Sequence, residues 1–229
     1  MSSDLSGITR FFTTDPQELI ALKRRVMNDM CPPPGSADAI YCVGGTVDTQ
    51  EQSVGMSAML CCFEYAPNIG VLRATTQYGY CGFEFGRDML IARGVPEMNI
   101  VPVDILPEDA DTVNTYTEMK ALVRHARVNG WKTIIICAPY FHQIRASATL
   151  ISQLNPEHPD IWIFNRPAAP PDFREKMKHS QGVVEGDLME LLILEFSRLF
   201  RYHDMRENPI YSCRNILGYY DRRDRAFAL

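Results

Sequence analysis

The chain is short of the features that make many functions readable at once. No stretch approaches the roughly 18 uncharged apolar residues of a membrane span. The opening Met1–Arg10 is polar and lacks the apolar centre of a secretory signal. Positive charge is not in excess: 23 Lys and Arg against 28 Asp and Glu give −5 over 229 residues. That balance lacks the general electrostatic footprint of a nucleic-acid binder. The cysteines, seven in all, form no C-x-x-C pair, which excludes a zinc ribbon or thioredoxin motif. An odd count in a chain of this length also argues against a disulfide scaffold, so all seven are expected to be reduced. These absences predict a soluble, cytoplasmic chain with no membrane anchor and no nucleic-acid partner. Homo-oligomerisation is compatible with them.

Catalytic signatures are missing too. The sequence holds no H-E-x-x-H, no G-x-S-x-G, no full G-x-G-x-x-G and no Walker loop. What it does hold is a regular alternation. Five β-rich runs start at Asp38, Ile69, Asn99, Lys132 and Asp160. The fourth, Lys132-Thr-Ile-Ile-Ile-Cys137, is almost continuously apolar, as a strand buried on both faces requires. Helical stretches fall at about 15–29, 50–63, 84–93, 115–129, 143–154 and 187–202.

Local signals set the ends of these helices. Asp15-Pro16 offers a cap with proline at the first helical position. Thr115-Tyr-Thr-Glu118 and Asp187-Leu-Met-Glu190 have capping-box spacing. Gly94 and Gly130 supply left-handed stops. The order predicts an α/β, Rossmann-like fold, a mostly parallel five-stranded sheet with helices on both faces. Residues 1–35 form an N-terminal helix and proline-rich connection, 36–205 the α/β domain, and 206–229 a C-terminal extension. The sign-alternating Asp221-Arg-Arg-Asp-Arg225 reads as a solvated tail.

In open α/β sheets the ligand crevice lies beyond the carboxyl ends of the strands. Polar residues gather there: Gly44 and Gly45 after the first strand, Thr75 and then Glu84 after the second, Asn114 and Thr115 after the third, His142 and Arg145 after the fourth. Gly44-Gly45 admits a ligand close to the backbone, and a plain tight turn explains it equally well. Asp109 and Asp111 offer hard oxygens for a divalent metal, without a recognised loop pattern. His142 and Arg145, three apart, share a helix face. At a helix N-terminus they combine a proton-exchanging imidazole with a guanidinium fork suited to phosphate or carboxylate. Arg145 is expected to be exposed in this pocket.

Several of these segments resemble the YdcF/SanA/ElyC-like domain, a domain of unknown function. Asp38-Ala-Ile-Tyr-Cys-Val-Gly44-Gly45 is similar to its strand-and-glycine opening, and Gly94-Val-Pro96 with Asn99-Ile100 to its Gly-Val-Pro…Ile segment. Asn114-Thr115-Tyr-Thr-Glu118 resembles its Asn-Thr-x-Glu-Asn motif, and Tyr140-Phe-His142-Gln-Ile-Arg145-Ala146 its His-x-x-Arg-Ala motif. Glu195-Phe-Ser-Arg198 is similar to a Glu-x-x-Arg helix near the end of some members. The chain departs from the pattern where Ala74-Thr75-Thr76 replaces Ser-Gly-Gly and Thr117-Glu118 replaces Glu-Asn. The resemblance implies a Rossmann-like fold with a polar pocket, and S-adenosylmethionine or another nucleotide-like ligand. Two functions follow. One is an enzyme, a hydrolase or transferase of a small anionic ligand, phosphorylated or nucleotide-like, with His142 as general acid or base. In the other, Gly44, Gly45, Thr75, Glu84, Asn114, Thr115 and Arg145 bind the same ligand without turnover, as a regulatory module.

Overall fold

Five short apolar runs pair side by side because each can bury both of its faces only between helical layers. In the computed structural model these are β1 (Ala39–Cys42), β2 (Asn68–Arg73), β3 (Ile100–Asp104), β4 (Thr133–Cys137) and β5 (Trp162–Asn165). They form one all-parallel sheet in the order β3-β2-β1-β4-β5. The structure describes residues 15–77, 79–155, 157–170, 172, 174–179, 184–203 and 209–229. The Met1–Arg10 stretch, Tyr78 and Pro171 lie outside the described residues. Pro102, which cannot donate to a ladder, sits in the edge strand β3 opposite Val71.

The central register puts Ile40 beside Ile69 and Ile135, and Cys42 beside Val71 and Cys137. These six residues face one layer, formed by α2 (Val47–Cys62) and α3 (Phe83–Ala92), which contribute Val54, Leu60 and Leu90. Tyr41, Ile134, Ile136 and Ile163 point the other way. They meet α1 (Pro16–Met27), α4 (Thr115–Asn129), α5 (Gln143–Ser152) and α7 (Cys213–Phe227). The Rossmann-like α/β layout read from the sequence is therefore the fold. A two-stranded antiparallel ribbon, β6 (Met177–His179) with β7 (Val184–Gly186), was not legible in the sequence and leads into α6 (Leu188–His203).

Most helix ends follow the expected chemistry. Asp15 accepts from Gln17 N at 2.8 Å, and Asp187 and Glu190 exchange backbone bonds at 2.9 Å each. Gly130 stops α4 at φ 71°. One cap differs from the sequence reading. Asn114, not Thr115, caps α4, accepting from Tyr116 N and Thr117 N at 2.8 and 3.1 Å. Thr117 Oγ1 completes the box by accepting from Asn114 N at 3.0 Å. Asn114 Oδ1 reaches both amides from an extended backbone. The box thus lies one residue earlier, and Thr115 and Glu118 are released for other contacts.

The supposed solvated tail is also corrected: it is the last part of α7. Ile216, Tyr219, Tyr220 and Arg223 recur at helical spacing and are all fully buried. Arg223 donates to Asp29 Oδ1 and Oδ2 at 2.6 and 2.7 Å and to Ile163 O at 2.7 Å. Asp29 in turn accepts from Asn165 N at 2.9 Å and Asn165 Nδ2 at 3.0 Å. A buried ion pair persists only with such added bonds, because each charge is costly to desolvate. All seven cysteines are free, and among the described residues no helix is long and apolar enough to cross a membrane.

Candidate functional site

The strand order reverses between β1 and β4: β1, β2 and β3 proceed outward, and α4 brings the chain back to β4 beside β1. At such a switch point the loops after neighbouring strands part and leave a crevice. On the β2 side of this point a crevice is lined by Gly44, Leu72, Gln77, Tyr80, Val113, Asn114, Thr115 and Glu118. Its volume, about 20 Å³, is room for one water molecule.

Glu118 forms the floor. Its Oε1 accepts from Gly44 N at 2.8 Å and from Tyr41 Oη at 3.0 Å, and no described residue donates to Oε2. Burial pushes the carboxyl up to about 7, against the opposing pull of those two donors and of the Arg145 charge. The acid is therefore poised to exchange a proton near neutrality. A Cβ on Gly44 would stand 2.8 Å from Tyr80 Cε2 and 3.4 Å from Glu118 Oε1. Only glycine lets the backbone come this close to both. Tyr80 is itself fixed by its hydroxyl, which donates to Leu72 O.

Behind Thr115 lies a charged network built from α4, α5 and α6. Arg145 is 1% exposed; its Nη1 donates to Thr115 Oγ1 at 2.8 Å and its Nε to Glu195 Oε2 at 2.7 Å. The same carboxylate oxygen lies 2.6 Å from His142 Nδ1. An ionised carboxylate only accepts, so Nδ1 carries the proton, and in the neutral imidazole Nε2 is the acceptor. Nε2 lies 3.4 Å from Thr115 Oγ1. Arg198 Nη1 holds the other oxygen of Glu195 at 3.2 Å. Burial pulls the Arg198 guanidinium below its ordinary range, with Glu195 opposing. Two guanidiniums thus face one carboxylate. Arg145 Nη2 is buried and has no hydrogen-bond acceptor among the described residues.

The sequence-predicted residues separate into three groups. Gly44, Asn114 and Thr115 line the crevice. His142 and Arg145 sit one layer deeper and reach it through Thr115. The expected exposed Arg145 is corrected to a buried one, since α6 closes over it with Glu195. Gly45, Thr75 and Glu84 point elsewhere. Gly45 N donates to Gln50 Oε1 at 2.7 Å, and a Cβ there would stand 2.5 Å from Thr49 Oγ1, so it serves the tight turn into α2. Thr75 is exposed and accepts from Gln77 Nε2 at 3.3 Å. Glu84 is exposed on α3 and pairs with Arg87. Asp109 bonds Lys120 at 2.8 Å, and no cluster of three metal-ligating side chains occurs among the described residues.

Sequence reasoning missed Glu118 by assigning it to a cap, and gave Tyr41 and Tyr80 no role. Glu195 was visible only as part of a helix motif, with no sign that it would close over His142. Comparison of the chain with protein-family models, curated proteins and solved structures returned no match.

Proposed function

We propose that this protein binds a small anionic ligand, phosphorylated or nucleotide-like, in the crevice at the carboxyl edge of its sheet. The observation that carries the reading is Arg145 Nη2, a cationic donor buried beside the crevice wall without an acceptor among the described residues. A buried unpaired donor costs about 1–3 kcal/mol, more when charged, and a ligand oxygen would relieve that cost. A crevice of about 20 Å³ holds no nucleotide, so binding requires the crevice to widen. The grouping of Gly44, Asn114, Thr115, His142 and Arg145 is compatible with a YdcF/SanA/ElyC-like pocket, and we carry that resemblance forward as part of the proposal.

The test is a thermal-shift screen of inorganic phosphate, sugar phosphates, nucleotides and S-adenosylmethionine. A ligand at about 100 times its Kd stabilises the fold by roughly 2.7 kcal/mol, a melting shift on the order of 5–10 °C for a chain of this size. Arg145→Lys keeps the charge but loses the fork, and should lose most of that shift. A screen without any anionic hit, or an unchanged response in Arg145→Lys, refutes the reading.

A further inference from the structure

Thr115 occupies an unusual position for a hydroxyl at the first turn of a helix. Asn114 and Thr117 already serve the cap, so Thr115 Oγ1 has no capping task. It lies instead between the crevice, which it lines, and the imidazole and guanidinium behind it. Its proton has an acceptor in His142 Nε2 at 3.4 Å, and the ring is held in that tautomer by Glu195 at 2.6 Å. Its oxygen accepts a charged hydrogen bond from Arg145 Nη1 at 2.8 Å, which favours the alkoxide. A hydroxyl beside a base, with the base oriented by a third group, is the arrangement of an activated nucleophile.

The guanidinium adds a second constraint. One arm of Arg145 is spent on Thr115, while Nη2 on the same planar fork has no acceptor among the described residues. A fork of this kind spans two oxygens carried by one central atom, as in a phosphate. If Thr115 Oγ1 becomes one oxygen on phosphorus, a non-bridging oxygen of the same group falls to Nη2.

From this geometry we propose that Thr115 is the nucleophile of phosphoryl transfer from a phosphate monoester, with His142 as its base and Arg145 as the charge-stabilising donor. The proposal rests on the anion-binding reading. Thr115 Oγ1 bonds to phosphorus as the bond from phosphorus to the leaving oxygen breaks. The hydroxyl proton passes to His142 Nε2, and the leaving oxygen departs with the bonding pair and takes that proton. Water then attacks the phosphothreonine and gives a proton to His142. The Thr115 oxygen leaves phosphorus and recovers that proton, releasing inorganic phosphate.

The experiment uses the full chain with p-nitrophenyl phosphate, acid quenching and peptide mass spectrometry, beside thermal shifts with inorganic phosphate. The expected result is p-nitrophenol release with phosphate trapped on Thr115. Thr115→Val should lose release on the order of a hundredfold or more, while Thr115→Ser, which keeps the hydroxyl and guards against a folding defect, should retain it. Three results overturn the proposal: no release by the unaltered protein, release by Thr115→Val at the unaltered rate, or a phosphate trapped on another residue. If inorganic phosphate still stabilises the protein in those cases, the nucleophile falls and the binding reading stands. If neither phosphate nor any phosphorylated ligand stabilises it, both fall.

Discussion

Glu118 gives the protein a pH-dependent stability whose sign and size follow from its surroundings. The carboxyl is held at about 7, above its ordinary 4.5, chiefly by burial. Below pH 4.5 it is protonated in both the folded and the unfolded chain and adds no difference. Between 4.5 and 7 the unfolded chain releases a proton that the folded chain keeps, so stability falls as pH rises. Above 7 both forms are ionised and the full cost is present. At about 1.4 kcal/mol per pH unit, the window amounts to about 3 kcal/mol. Glu118→Gln removes the titration and keeps an oxygen able to accept from Gly44 N and Tyr41 Oη. Urea unfolding of both proteins, followed by the fluorescence of Trp131 and Trp162, gives the two stabilities at each pH. The unaltered protein should lose about 3 kcal/mol relative to Glu118→Gln between about pH 4 and about pH 8. In melting temperature this is on the order of 10 °C. A difference that stays flat across this range would show that the carboxyl is not held protonated by its burial, and the reasoning would fail.

Three further outcomes are expected. Gly44→Ala drives a methyl into Tyr80 and towards Glu118 and should destabilise by about 1–3 kcal/mol, read as a lower melting temperature; an unchanged melting temperature contradicts the close approach. Arg223→Met leaves the Asp29 carboxylate buried without its bidentate partner and should cost about 3–5 kcal/mol in urea unfolding. Adding Asp29→Asn should recover part of that loss, whereas strictly additive costs would mean the pair is uncoupled. Thiol titration of the denatured protein should find all seven cysteines without prior reduction. In the native protein exposed Cys62 should react first, and buried Cys42, its thiol pushed up to about 12, should lag.

The sheet was legible because its information is local. The apolar run at 132–137 can only be satisfied on both faces, and glycine and cap residues set where the helices stop. The site was legible only in part. Gly44, Asn114 and Thr115 could be placed because strand ends converge in this topology. The burial of Arg145 could not, because it depends on Glu195, fifty residues away on α6, packing over α5. Nor did Glu118 stand out, since Asn114 and Thr115 are both cap-forming residues and the Thr115–Glu118 spacing mimics a capping box. Arg223 was misread for a related reason: in composition a buried arginine looks the same as a solvated one, and only the Ile216, Tyr219, Tyr220 spacing marks its face.

The Asp29–Arg223 pair joins residues 194 positions apart, and this bears on the order in which the molecule can be made. During synthesis Asp29 leaves the ribosome long before its partner exists. Until α7 arrives, docking α1 on the sheet would bury a carboxylate with only the Asn165 groups and Arg25 beside it. Among the described helices, α1 must therefore wait for α7. A nascent chain can assemble β1 to β4 with their helices, but the face that receives α1 stays open until Arg223 has emerged. That interval exposes the apolar surface of Leu22, Val26, Ile163 and Ile151 to other chains. Vulnerability to aggregation is in this sense concentrated in the interval between the emergence of α1 and that of α7.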